Sequence, residues 1–461
     1  MKLLLVLVVS ILFGCAESFK VQSDSGDTES FSDSSAEDQL LLMIQMTRHG
    51  ARSTISTRKE PNVNTKDWEM GLGELTPSGE RQHYLLGNKQ RRKFITDEIH
   101  HLSEDFDPRE VYVISTNYNR TIMSAYSENQ GWYPLGSVEE VLPEQKNTAL
   151  PPFEIDNIEE TLNDLGNDPT MHGYQPIPIH VGGDDFAHIF QAHDAKTCPV
   201  VNQFAQKVRD EAKFTEINEK YKDNILKQIR ENWEVDEDLD FKSVGHLADQ
   251  FYTAYFDDRL VQKYQLPVET VDKIMADQFY YFNFYFDEMV RIATSNFLNF
   301  LYSTFDAKIL STLTDMDDVN WIKSKKLIYI SAHDSTAAAV LSGIEQKQEY
   351  QPFYATHNLI QLWKKAGTNG DKDEDYYVKW IYNDKALNIN NKCDEEGRCP
   401  YDLLKEYLKS REYQGDDWLA ACKGTQSNWL GGYHIILSTF GGVVALGFVS
   451  YLMMKKFMIH S

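Results

Sequence analysis

Leu40-Leu41-Leu42-Met43-Ile44-Gln45-Met46-Thr47-Arg48-His49-Gly50-Ala51-Arg52 decides how the rest of the chain is read. Its first half is a short, almost wholly apolar run, the pattern of a strand buried on both faces, and its second half is the polar loop that such a strand delivers. Two later stretches repeat the arrangement. Glu110 to Ser115 runs into Thr116-Asn117-Tyr118-Asn119-Arg120-Thr121, and Lys326 to Ser331 runs into Ala332-His333-Asp334. Ser335-Thr336-Ala337-Ala338-Ala339-Val340 then begins a helix, whose N-terminus favours anions. Strands that each lead through a polar turn into a helix predict an α/β fold: a central, mostly parallel sheet flanked by helices.

Between the second and third strands the texture changes. Residues 197–232, 246–260 and 269–305 show helical spacing with few breakers, which predicts a mainly helical insertion, or cap, over residues 151–310. The sheet domain is then split into 40–150 and 311–432. The Tyr and Phe density of Phe279 to Phe286 fits core packing of an insertion helix better than a ligand-stacking box.

Ligands of open parallel sheets collect at the carboxyl ends of strands. There the three runs place three arginines (Arg48, Arg52, Arg120), two histidines (His49, His333) and one acid, Asp334. Three planar, permanently charged forks suit the oxygens of a phosphate dianion. A neutral His49 can attack phosphorus, Asp334 can protonate the leaving alkoxide if its pKa is raised, and His333 can donate a further hydrogen bond. The stabilisation is electrostatic and calls for no metal and no cofactor. Other motifs are weaker. Asp315-Met316-Asp317-Asp318-Val319 mimics an aspartyl-phosphate signature but reads as a solvated acidic loop, and His100, His101, His188 and His193 lack the spacing of a metal pair. Asn119-Arg120-Thr121 is a glycosylation sequon, yet a glycan there would block the phosphate pocket.

Arg48-His49-Gly50-Ala51-Arg52, followed by Ser331-Ala332-His333-Asp334, resembles the signature pair of the histidine acid phosphatase family, the second branch of the histidine phosphatases. Leu75-Thr76-Pro77-Ser78-Gly79-Glu80-Arg81-Gln82 and Asn119-Arg120-Thr121-Ile122-Met123-Ser124-Ala125 also look like family segments, as do Gln175 to His180 and Tyr354 to His357. The resemblance runs from about Leu40 to Cys422. It implies a metal-independent phosphomonoesterase working through a phosphohistidine, with His49 as nucleophile and Asp334 as proton donor. Arg48, Arg52, Arg120 and His333 would hold phosphate. Thr54 stands where the family usually has proline, a change that predicts a looser loop. A phytase-like or lysophospholipid phosphatase shares these motifs, and an inactive phospho-ligand receptor is a third reading; the walls of the pocket would separate the first two.

The ends of the chain carry targeting signals. Met1-Lys2 and the apolar Leu3 to Phe13, closed by Gly14-Cys15-Ala16, read as a signal peptide over residues 1–16. Residues 17–39 form an acidic, Ser-rich leader expected to be disordered. Tyr433 to Met454 runs without a charged side chain and stops at Lys455-Lys456, which predicts a transmembrane helix over 433–454 and a cytoplasmic tail over 455–461. A lipid-anchor signal is the rival reading. The predicted protein is thus a type I membrane protein of the secretory pathway, in the lysosome, a vacuole or the cell surface, similar to membrane-anchored lysosomal-type acid phosphatases. Once Cys15 is removed, Cys198, Cys393, Cys399 and Cys422 remain, an even set for an oxidising compartment; Cys393–Cys399 and Cys198–Cys422 are the favoured disulfides, with zinc binding the alternative. Lys and Arg number 46 against 70 Asp and Glu, and the resulting charge of −24 disfavours a nucleic-acid partner. The expected partners are a small phosphomonoester, the membrane and, where the chain self-associates, a second copy in a homodimer.

Overall fold

The computed structural model describes residues 37–55, 68–232, 235, 239–241, 243–259 and 267–424. The predicted signal peptide (1–16), nearly all of the leader (17–39), the membrane helix (433–454) and the tail (455–461) lie outside the described residues. Among the described residues no helix is long and apolar enough to cross a membrane.

The three apolar runs form β1 (Gln39–Arg48), β2 (Val111–Ser115) and β4 (Leu327–Ala332), with β3 (Ile179–Val181) between the last two in sequence. Helices α1 (Pro77–Arg91) and α2 (Asn119–Trp132) follow β1 and β2, and α3 (Ile158–Leu165) precedes β3. The cap comprises α4 (Asp184–Phe190), α5 (Val200–Asp210), α6 (Ala212–Tyr221), α7 (Lys227–Asn232), α8 (Val244–Phe256) and α9 (Val268–Phe284). The chain returns through α10 (Asp287–Leu313) and α11 (Asn320–Lys323) to β4 and α12 (Asp334–Gly343). It closes with β5 (His357–Lys364), β6 (Tyr376–Tyr382), β7 (Lys385–Ala386), β8 (Arg398–Pro400), α13 (Tyr401–Arg411) and α14 (Trp418–Lys423).

The sheet order is β3-β2-β4-β1-β5-β6-β7, with β8 also on β6. β1, β2, β3 and β4 pair in parallel, whereas β1–β5, β5–β6, β6–β7 and β6–β8 are antiparallel. The sheet is therefore mixed, which corrects the expectation of a mostly parallel one. The physical reason is chain length: β5 and β6 are joined only by residues 365–375, too few for the crossover that parallel neighbours need.

Side chains of β1 and β4 alternate between two buried layers. Leu42, Ile44, Ile328 and Ile330 pack with Phe297, Leu301 and Phe305 of α10, while Met43 and Leu327 pack with Trp132 of α2 and Phe94. Although the stretch 151–310 is mainly helical, β3 and α10 within it thus belong to the sheet and to the layer covering it. The cap has its own core, in which Phe241, Leu247, Phe251, Ile274 and Phe282 are buried together. Helices α1 and α2 approach closely because a Cβ on Gly87 would lie 2.1 Å from the Glu128 carbonyl oxygen, and one on Gly131 would lie 2.3 Å from that of Tyr84. Cys198 is joined to Cys422, tying the entry of the cap to α14, and Cys393 is joined to Cys399.

Candidate active site

The loop after β1 is held on three sides. The His49 backbone N–H donates to the Ala332 carbonyl at 3.0 Å, the Arg48 N–H to Thr356 at 2.9 Å, and the Ala355 N–H to the His49 carbonyl at 3.2 Å. The end of β1 therefore lies beside the end of β4, which sets His49 next to His333 with ring centroids 5.5 Å apart. A Cβ on Gly50 would fall 2.4 Å from the Gly79 carbonyl oxygen, so the loop seats directly on the start of α1. That helix start falls within the family-like segment Leu75 to Gln82, with the Thr76 hydroxyl accepting the Gly79 N–H at 3.3 Å. Thr54 is buried, and its carbonyl accepts the Gly73 N–H at 3.0 Å while the Ser53 hydroxyl donates to Gly71 at 2.7 Å.

All six predicted side chains line one cavity of about 500 Å³. Arg48 is 1% exposed; its Nη2 lies 3.0 Å from the Asp334 carboxylate, and its guanidinium sits 4.1 Å over the Tyr354 ring. Arg52 is held at 2.8 Å by Asp249 of α8. Arg120, in the first turn of α2, lies 4.6 Å over Tyr118, and burial together with neighbouring Arg52 draws its pKa down to about 10. In each of the three arginines the Nε–H is buried without an acceptor among the described residues. All three guanidiniums line the cavity, and their permanent charge suits an oxyanion with several lone pairs.

Hydrogen-bond polarity assigns the two imidazoles. His49 Nδ1 lies 2.8 Å from the Gly50 carbonyl, which can only accept, so Nδ1 carries the proton and Nε2 keeps its lone pair. Burial and then Arg120, Arg48, His333 and Arg52 hold the His49 pKa well below the usual histidine value, so it stays neutral in acid. His333 Nε2 lies 2.9 Å from the Thr116 hydroxyl, which donates to Thr121, whose own hydroxyl donates to backbone carbonyls. The Thr116 proton is thus committed, and His333 must donate through Nε2. Its Nδ1 donates to a ligand only when the ring is protonated, and burial plus Arg120 lowers that pKa to about 3. Burial pushes the Asp334 carboxyl up, but Arg48, Arg52, His333 and the Ser335 N–H outweigh it and leave the pKa below the ordinary value. The raised pKa that proton donation calls for is therefore absent from the empty site. A bound phosphate dianion would reverse this cationic field and favour the protonated forms of Asp334 and His333 alike.

Sequence reasoning missed several participants. Asp249 comes from the cap, far along the chain from Arg52, and no local motif announces it. His193, read as an ordinary histidine, lines the same cavity with its Nε2 2.8 Å from the Ser335 hydroxyl. Phe279 also lines the cavity, although its neighbours Tyr281, Phe282 and Phe284 are buried in packing as expected of a core. Beneath the site, Glu128 accepts from Gln45, from His83 at 2.7 Å and from Tyr329 at 2.6 Å. The remaining candidates stay apart: His101 Nε2 bonds the Lys326 carbonyl at 3.2 Å, and Asp315 pairs with Lys323 in an exposed loop. Asn119 donates to Glu74 at 3.1 Å.

The model of the histidine phosphatase superfamily, branch 2, matches residues 29–383. The chain belongs to that family. Prostatic acid phosphatase of Rattus norvegicus is 24% identical over 404 residues, covering 85% of this chain and 91% of its own. Lysosomal acid phosphatase of Homo sapiens is 23% identical over 393 residues, covering 83% and 80%. Among solved structures, the phytase of Klebsiella sp ASR1 superposes with a TM-score of 0.57 at 11% identity, over 82% of this chain and 96% of that one. A Hafnia alvei phytase bound to tartrate gives 0.56 at 15% identity, over 84% and 99%. These likenesses carry the fold. As a member of the histidine phosphatase family the protein is a phosphoric monoester hydrolase.

Proposed function

We propose that the protein is an acid phosphatase that works through a covalent phosphohistidine at His49. The supporting observation is the fixed tautomer of His49, whose Nε2 keeps its lone pair in a cavity lined by three arginines. His49 Nε2 forms a bond to phosphorus as the bond to the ester oxygen breaks, and the Asp334 proton goes to that oxygen. Asp334, now ionised, takes a proton from water, whose oxygen attacks phosphorus; the P–N bond breaks and phosphate leaves. Arg48, Arg52 and Arg120 bear the charge on the phosphoryl oxygens throughout.

The apolar run 433–454 and the lysines after it support a single-pass anchor with the catalytic domain on the luminal or extracellular side. Relatives named lysosomal and prostatic acid phosphatase support a secretory-pathway location.

The pH profile tests the mechanism. Asp334 is ionised in the free enzyme, so the proton it donates arrives with the substrate monoanion, whose second pKa is about 6. On aryl phosphate, with a chelator present, kcat/KM is expected to fall about tenfold per pH unit above ~6 as that proton is lost. No acid limb from His49 is expected near its ordinary pKa, because the ring stays neutral far below it. A profile rising through neutrality would sink this proton inventory.

A further inference from the structure

The charges lining the cavity are unevenly placed. Three cations, Arg48, Arg52 and Arg120, face three carboxylates, Asp194, Asp249 and Asp334, and no lysine or fourth arginine is found among the described lining residues. Two of the cations are already paired, Arg48 with Asp334 and Arg52 with Asp249. Their field matches one phosphate, and no other described lining residue offers a cation for a second. The rest of the wall supplies amides, with Gln191, Gln278 and Asn283 on the cap side, together with Phe279 and the carboxylate of Asp194. A second phosphate on the substrate would meet neutral dipoles and a like charge, where a polyphosphate needs guanidinium or ammonium donors. An acyl chain would meet hydrogen-bonding groups that it leaves unpaired.

We propose that the substrate is an ester carrying a single phosphate on a compact leaving alcohol that is neutral or bears an amine, and that Asp194 is the residue that turns polyphosphates away. This rests on the phosphomonoesterase reading above. The cavity, at about 500 Å³, has room for such a leaving group beside the phosphate. It also separates the protein's chemistry from that of the phytases whose fold it shares.

The experiment compares kcat/KM of the full-length protein on aryl phosphate, phosphoethanolamine and inositol hexakisphosphate, with a chelator present and at mildly acidic pH. Wild type is expected to turn over inositol hexakisphosphate at least ~100-fold less efficiently than the two monophosphates, the effect of roughly two missing charge-assisted contacts. Asp194→Lys is expected to narrow the ratio of hexakisphosphate to aryl phosphate by about tenfold, and Gln278→Lys, on another part of the wall, to do the same should the first variant fail to fold. Equal efficiency on hexakisphosphate in wild type would overturn the proposal, as would a ratio that folded Asp194→Lys leaves unchanged or, where that variant does not fold, one that Gln278→Lys leaves unchanged. Loss of turnover on all three substrates by folded wild type would overturn the parent reading, and the substrate class with it.

Discussion

His49→Ala is expected to lower phosphate release from aryl phosphate by about 10⁴-fold or more while the folded protein still binds inorganic phosphate. The size follows from the loss of the attacking atom itself. Of the other histidines lining the cavity, His333 is tied through Nε2 to Thr116 and keeps its lone pair at Nδ1, and His193 is engaged through Nε2 with the Ser335 hydroxyl. Binding survives because the positive charge of the cradle comes from Arg48, Arg52 and Arg120, which keep their own supports in Asp334, Asp249 and Tyr118. Rapid acid-free quenching with labelled substrate adds a second readout: wild type should trap label on protein, and His49→Ala should not. Activity retained in the variant would place the nucleophile elsewhere. A folded wild type that binds phosphate yet releases none from any monoester would instead describe a receptor.

The parallel half of the sheet and its carboxyl-end loops are legible because β1, β2 and β4 are buried on both faces and so read as unbroken apolar runs. The catalytic side chains follow those runs directly, which is why six residues from three distant segments can be placed together from sequence. The antiparallel half is not marked in the same way. β5, broken by Asn358 and Gln361, and β6, apolar but for Lys379, are followed by turns and further strands and not by a polar loop and a helix, so the strand–loop–helix pattern that identifies the other strands is missing. Asp249 is illegible for a different reason: α8 reveals an amphipathic helix but not which of its polar residues meets Arg52 across the cap boundary. The same holds for Glu128, whose partners come from β1, α1 and β4 and share no sequence pattern.

Glu128→Ala is expected to cost about 3–5 kcal/mol of stability, read as a lower midpoint in denaturant, and to depress kcat more than it raises KM. Glu128 is wholly buried, and its carboxylate is the common acceptor for Gln45, His83 and Tyr329, so its removal strands three donors in the interior. The catalytic effect passes through His83. Its Nε2 lies 3.0 Å from the Arg48 carbonyl, which can only accept, so Nε2 is a donor, while Nδ1 lies 2.7 Å from the Glu128 carboxylate. Glu128 therefore fixes the ring that fixes the peptide joining Arg48 to His49. Glu128→Gln separates the two consequences: it keeps the shape and one acceptor oxygen but sets an amide N–H₂ against donors, and should lose less stability while still lowering kcat. A Glu128→Ala protein as stable as wild type would show that the network is replaceable by packing. Were it unstable but fully active once folded, Glu128 would support the fold without positioning the nucleophile.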